Sequence, residues 1–372
     1  MKIVVLAGGR STERNVSLSS SARVANALRR KGYEVALVDL FLGLEDANEV
    51  QLANLFTSEE QEVDLNISDE IMTDDCVNAL RTDGTTQLFG PNVMKIAGMA
   101  DLVYIGLHGG DGEGGKVQAA LDLNNIPYTG SGMLASAVAM DKNVSKQLML
   151  FNGIQTARFV NLPHASLQTN VSLPFNFPAV VKPSNGGSSV GMYIVHDQKE
   201  LQTALKESAK FDSDVLVEEY VDGREFSMGV VDGVAMPAIE IIVTDGWYDF
   251  EHKFVSGNTT KFQTPPDIPD DVHDEMKRLA KKTMDVLGMT NYGRIDFLWN
   301  KNGLYVIEAN TLPGMTPLSL LPQEAEAAGI AYDDLCDMII TSQVKLLGLT
   351  FARWRDSSCL AKRVLTMYPK QP

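Results

Sequence analysis

Residues 2–9, KIVVLAGG, form an unbroken apolar run that ends in two glycines. A strand without a polar face must be covered on both sides, which is the condition of a parallel sheet flanked by helices. Leu18, Ala22, Ala25 and Leu28 follow at helical spacing, Gly32 supplies a stop, and YEVALVDL (33–40) reads as a second strand. This βαβ unit predicts an α/β domain at the start of the chain. DLVYIGLHGGDGEGG (101–115) repeats the pattern of a buried strand running into glycines. A helix from Lys116, a short strand IPYTG (126–130) and a helix from about Lys142 to Asn152 complete this region. Residues 45–83 interrupt it with twelve Asp or Glu against a single Arg, and read as a solvated acidic insertion.

The texture changes after Phe177. FPAVVKP (177–183), GMYIVH (191–196), VLVEEYV (215–221), EFSMGVV (225–231) and AMPAIEIIV (235–243) are short strand patterns, with one helix near KELQTALKESA (199–209). They are expected to form one small antiparallel α+β unit. The polar stretch 244–266 exceeds the usual connection length and is expected to act as a lid. A helix from about Asp271 to Leu287, a hairpin over 294–310 and two further helices make a third unit. A chain of 372 residues is long enough for two or three domains. The tail from Gly348 carries five Lys or Arg against one acid and reads as an appended segment.

The net charge of −16 argues against nucleic acid as a partner, because phosphate backbones are bound by clustered Lys and Arg. Cys76, Cys336 and Cys359 are far apart and in no CxxC pattern, so neither a disulfide framework nor a zinc site is expected. No apolar run reaches the ~20 residues of a membrane span. MKIVVLAGGR lacks the features of a signal peptide, and a cytoplasmic protein is expected.

The hairpin RIDFLWNKNGLYVIEAN (294–310) carries oxygens that a strand pair would not ordinarily bury. Glu308 and Asn310 are two apart and face one side, and Asp296 can lie beside them from the neighbouring strand. Two carboxylates and an amide are hard ligands suited to Mg²⁺ rather than zinc; the alternative is polar residues on a solvent-facing sheet. The loop KPSNGGSSVG (182–191) could wrap a polyphosphate with its backbone N–H groups, though it lacks the GK[ST] ending of a Walker loop. Lys182 begins it, and Lys142 begins a helix in the preceding region. Glu218, Glu219 and Val221 lie at a strand end where backbone groups could read an adenine edge, with Glu225 near enough to accept from ribose hydroxyls.

These pieces resemble the ATP-grasp ligases, and among them the D-alanine–D-alanine ligases. The match rests on GGRSTERNVSLSS, LHGGDGEGG, KPSNGGSSVG, GWYDFEHKF, GRIDF and EANTLPGMTPLSLLP, which occur in the family's order from residue 3 to about 347. The resemblance implies an ATP-grasp fold, α/β and α+β, behind an N-terminal Rossmann-like (preATP-grasp) parallel-sheet domain. The domains would be 1–141, 142–240 and 241–347, with the tail at 348–372. It implies that ATP drives the joining of two D-alanines through a D-alanyl phosphate, in a cytoplasmic enzyme of peptidoglycan synthesis that is commonly a homodimer.

By the same resemblance, Asp296, Glu308 and Asn310 would hold two Mg²⁺ ions, or Mn²⁺ in their place, and Lys142 and Lys182 would meet the phosphates. Glu13 would bind the ammonium of the first D-alanine in a network with Ser188, and His108 would approach the substrates. Arg294 and the Gly314 N–H would form an oxyanion hole. Ser319, the Leu320 N–H and Lys253 would hold the second substrate's carboxylate.

Two positions depart from the pattern. Glu113-Gly114-Gly115 stands where Glu-Asp-Gly is usual, so a carboxylate is missing beside His108. Phe254 replaces the common lid tyrosine, as in relatives that form D-alanyl-D-lactate, and makes D-lactate an alternative acceptor. A non-catalytic nucleotide-binding regulator is the reading from another class, but the metal ligands and Arg294 are all present. A Rossmann dehydrogenase is disfavoured because GGRSTE lacks GxGxxG.

Overall fold

The computed structural model describes residues 1–11, 13–62, 74–81, 84–85, 87–167, 171–187, 189–243 and 260–348. Ser188, Lys253 and Phe254, much of the acidic insertion, most of the expected lid and nearly all of the tail lie outside the described residues.

Strands β1 (Lys2–Ala7), β2 (Glu34–Asp39) and β3 (Leu102–Ile105) form a parallel sheet in the order β2-β1-β3. The expected strand at 126–130 contributes a single bridge, Tyr128 to Val103. Helix α1 (Arg14–Arg30) packs on the sheet through serines as well as aliphatics. The Ser17 and Ser21 hydroxyls donate to the Gly106 carbonyl at 2.7 and 3.0 Å, and the Gly8 N–H donates to Ser17 at 2.9 Å. Leu18, expected on the core face, is only partly buried, whereas Ser17, Ser20 and Ser21 are buried. Helices α2 (Lys116–Leu123), α3 (Met133–Met140) and α4 (Lys142–Phe151) follow, and Asp141 caps α4 by accepting from the Val144 N–H.

A second sheet, wholly antiparallel, has β4 (Phe159–Leu162), β5 (Ala179–Pro183), β6 (Tyr193–Val195) and β7 (Val215–Glu219) in the order β4-β7-β5-β6. Helix α5 (Gln198–Ser208) covers one face with Leu201 and Leu205 against Val181, Val215 and Val217. The Asp197 side chain caps it, accepting from the Lys199 and Glu200 N–H groups at 2.8 Å each.

The third sheet holds β8 (Arg224–Val231), β9 (Val234–Ala235), β10 (Ile239–Ile242), β11 (Lys261–Gln263), β12 (Tyr292–Asn300) and β13 (Gly303–Asn310). Its order is β11-β10-β8-β12-β13, with β9 beside β8. Helix α6 (Asp270–Leu287) covers it with Met276, Leu279, Ala280 and Met284. The strands read as one antiparallel unit therefore divide between two sheets, and the change falls between Glu219 and Arg224. The alternation in EFSMGVV requires one buried face but does not name the neighbour that covers its edge.

Helices α7 (Leu320–Ala327) and α8 (Tyr332–Leu346) end the described chain. Leu335, Cys336, Ile339 and Ile340 of α8 share one core with the first sheet, so the last helix closes against the first strands. Among the described residues no helix is long and apolar enough to cross a membrane.

Candidate active site

Register makes the hairpin a functional surface. Asp296 lies directly opposite Glu308 and Arg294 opposite Asn310, and a bulge after Asp296 skips Ile307. Residues opposite one another, and residues two apart, share a face. The four polar side chains thus stand together, while Ile295, Phe297 and Ala309 enter the core behind them. Arg294 grips Asp296 with both prongs of its fork, Nε to Oδ1 at 2.9 Å and Nη2 to Oδ2 at 2.8 Å. Ser227 donates to the same carboxylate at 2.8 Å and Asn310 at 3.0 Å. Burial opposes the charge on Arg294, but Asp296 foremost, then Glu308 and Glu324, outweigh it and keep the guanidinium protonated.

This face forms one wall of a cavity of about 420 Å³ between the second and third sheets. The size lies in the range of small-molecule sites. Lys142, Lys146 and Lys182 line the opposite side, all buried, with buried Glu218 among them. Lys146 and Lys182 reach Glu218 Oε1 at 3.0 and 2.9 Å, and Lys142 lies 3.9 Å from Glu308. Burial pushes the Lys146 ammonium down to about 8 and also lowers Lys142, against the opposing pull of nearby carboxylates. Burial alone would raise the Glu218 carboxyl, but Lys146 and Lys182 hold it below its ordinary value. Three buried ammonium groups share few carboxylates, an imbalance that an incoming polyanion would correct.

Glu218, whose strand end was expected to read a base through its backbone, uses its side chain to hold two lysines. Lys146 was not singled out from the sequence, although its i+4 spacing from Lys142 on α4 signals that both share a face. Glu219, Val221 and Glu225 line the cavity's other end, where Arg158 pairs with the Glu219 carboxylate at 2.6 and 2.7 Å.

Glu13 precedes α1. A Cβ on Gly109 would come within 2.6 Å of its carboxylate, and one on Gly187 within 3.6 Å, so Glu13 lies where the two glycine-rich loops meet. Glu113 accepts from the Gly109 N–H at 2.7 Å and the Leu312 N–H at 3.3 Å. Burial, and then Glu13 beside it, push the Glu113 carboxyl up to about 7. Sequence reading treated Glu113 only as part of an altered motif. Buried His108 has both ring nitrogens engaged, Nε2 with Ser20 Oγ at 2.9 Å and Nδ1 with the Leu312 carbonyl at 3.2 Å. Burial lowers its pKa despite the pull of Glu13, so the ring is neutral.

At Gly314 a Cβ would meet Ser319 Oγ at 2.7 Å, so a side chain there would displace that hydroxyl. Ser319 stands at the N-cap of α7 and its hydroxyl accepts from the Thr316 N–H at 3.0 Å. Ser319 and the Leu320 N–H thus lie at a helix N-terminus, which favours a carboxylate. Among the described residues no group of three or more His, Cys, Asp or Glu is placed to hold a metal. The hairpin offers two carboxylates and an amide, a sparse hard set that suits a cation carried in with phosphates.

Family models described as the D-ala D-ala ligase N-terminus and C-terminus match residues 2–131 and 144–341. The D-alanine–D-alanine ligase of Pediococcus pentosaceus is 61% identical over 346 residues, 93% of this chain and 98% of that protein. That of Geobacter sulfurreducens is 37% identical, covering 93% and 96% of the two chains. Among solved structures, the D-alanine–D-alanine ligase from Bacillus anthracis complexed with ATP superposes with a TM-score of 0.70 at 28% identity, covering 93% of this chain and 98% of its own.

Proposed function

The chain belongs to the D-alanine–D-alanine ligase family and acts as an ATP-dependent ligase that joins two D-alanines into the peptidoglycan dipeptide; from that premise we propose how its residues divide the work. The observation that carries the assignment is the cavity in which three buried lysines face Arg294, Asp296 and Glu308. Lys142, Lys146 and Lys182 neutralise the triphosphate, and Glu219, Val221 and Glu225 border the nucleoside end. Asp296, Glu308 and Asn310 are the residues that would hold Mg²⁺, or Mn²⁺ in its place. Such a cation, when bound, supplies charge neutralisation on the phosphate oxygens.

The donor D-alanine sets its ammonium against Glu13 and Glu113, and its carboxylate oxygen attacks the γ-phosphorus as the bond to ADP breaks. Arg294 and the Gly314 N–H stabilise the oxyanion that forms when the acceptor amine, having lost a proton, attacks the acyl carbon. Phosphate then leaves with its electron pair. Ser319 and the Leu320 N–H hold the acceptor carboxylate. His108, neutral and bonded at both nitrogens, fixes the Leu312 carbonyl relative to α1 at the donor end. A pair of chains joined through the first sheet's domain fits the family habit.

The test supplies the purified protein with ATP, Mg²⁺, D-alanine and D-lactate, and follows ADP, phosphate and both condensation products by chromatography. Equal ADP, phosphate and D-alanyl-D-alanine are expected, with dipeptide as the main product. Arg294→Met should lower kcat by about 10²–10³. Absence of D-alanine-dependent ATP turnover would overturn the assignment.

A further inference from the structure

Gly229 lies directly opposite Arg294 in the pairing of β8 with β12. Its N–H points toward the other side of β8, where β10 pairs only as far as Ser227 and β9 begins at Val230. Among the described residues no strand supplies an acceptor there. Glu324 on α7 does, with Oε2 accepting the Gly229 N–H at 2.6 Å. Its side chain is completely buried, with the Ser227 hydroxyl beside it. A Cβ at Gly229 would meet Leu321 Cδ1 at 2.3 Å and Glu324 Oε2 at 2.6 Å, so the absent side chain is the slot that admits both residues of α7.

A fully buried carboxyl is costly, and burial pushes it up to about 8 although Arg294, foremost, and the Gly229 N–H oppose the shift. An apolar residue would pack there at less cost, as replacements of buried charges often do. What the carboxyl provides is position. Glu324 is four residues, about 6 Å, beyond Leu320 on the same helix face. It therefore pins the turn of α7 that presents Ser319 and Leu320 to the strand residue facing Arg294.

We propose that Glu324 is a positioning residue of the ligation, fixing the acceptor-carboxylate end of α7 relative to Arg294 through its bond to the Gly229 N–H. The inference rests on the assignment of Ser319, Leu320 and Arg294 made above. Among the described residues no bond joins Glu324 to the lysine wall or to Glu13, so its first effect is expected at the acceptor end.

The experiment measures D-alanine saturation at fixed ATP, resolving donor and acceptor KM, together with KM for ATP and Tm. Glu324→Met, close in volume but unable to accept a hydrogen bond, is expected to raise the acceptor KM about tenfold; misplacing a substrate by ~1 Å can cost still more. Donor and ATP KM should stay within about twofold. Glu324→Gln, whose amide oxygen can accept from Gly229, should restore the acceptor KM to near the parent value. A uniform rise in all three constants, an unchanged acceptor KM, or Gln behaving as Met would overturn the proposal. Should the Met variant fail to fold, Glu324→Asp draws the carboxylate back by one methylene; an acceptor KM raised about threefold supports the proposal and an unchanged one overturns it. A parent protein without D-alanine-dependent ATP turnover would instead remove the functional reading on which the inference stands.

Discussion

Two carboxyls a few residues from glycines, Glu13 and Glu113, show how one residue's environment sets its chemistry. Glu113 titrates near 7 in the fold against an ordinary 4.5, so the folded state holds a proton that the unfolded chain releases between those values. Its contribution to stability is fully present below 4.5 and is lost as pH rises through about 7. The difference in unfolding free energy between the parent and Glu113→Gln should fall by up to about 1.4 kcal/mol per pH unit in that window. Urea titrations at several pH values check it, and a flat difference would contradict the assignment. Asp296, Glu308 and Asn310 were legible in the sequence because a period of two is local. Glu113 and Glu324 were not, because each owes its surroundings to an element far away in the chain, whereas Lys146 had a local signal in its spacing from Lys142.

At the scale of elements, the meeting of α1 with β3 is held by hydroxyls. A Cβ on Gly106 would come within 2.1 Å of Ser21 Oγ and 3.0 Å of the Leu6 carbonyl, so helix and sheet touch at a residue with no side chain. Gly106→Ala should cost about 1–3 kcal/mol in urea unfolding, as overpacking of a filled core does. Periodicity located α1 and placed Ala22, Ala25 and Leu28 in the core, but it counts apolar residues and so overlooked the serines that make the close approach. The ranges of α5 and α6 and the extent of the hairpin were readable for the opposite reason, being strongly patterned and bounded by caps or turns. The bulge at Ile307 and the sharing of strands between two sheets were invisible, because register and neighbour choice are settled by tertiary packing.

Across the whole molecule, the order of the glycine-rich and acidic motifs announced the family, yet no local signal brought α8 back to the first sheet. Arg30 reaches Asp333 at 2.7 Å and Lys31 pairs with Asp334 across that junction. These groups are exposed or half-buried, and the core formed by Leu335, Ile339 and Ile340 carries the attachment. Arg30→Ala should therefore shift stability by less than about 1 kcal/mol, an effect that shrinks in high salt; a larger, salt-insensitive loss in thermal unfolding would contradict this. The lysine wall has a wider consequence. Cations gathered for a polyanion repel one another until it arrives, so nucleotide acts as a clasp on the native chain. At about a hundredfold above its dissociation constant a ligand adds ~2.7 kcal/mol to native stability. Saturating nucleotide should therefore raise the unfolding temperature, which thermal unfolding with and without ATP checks, and an unchanged temperature would contradict the clasp.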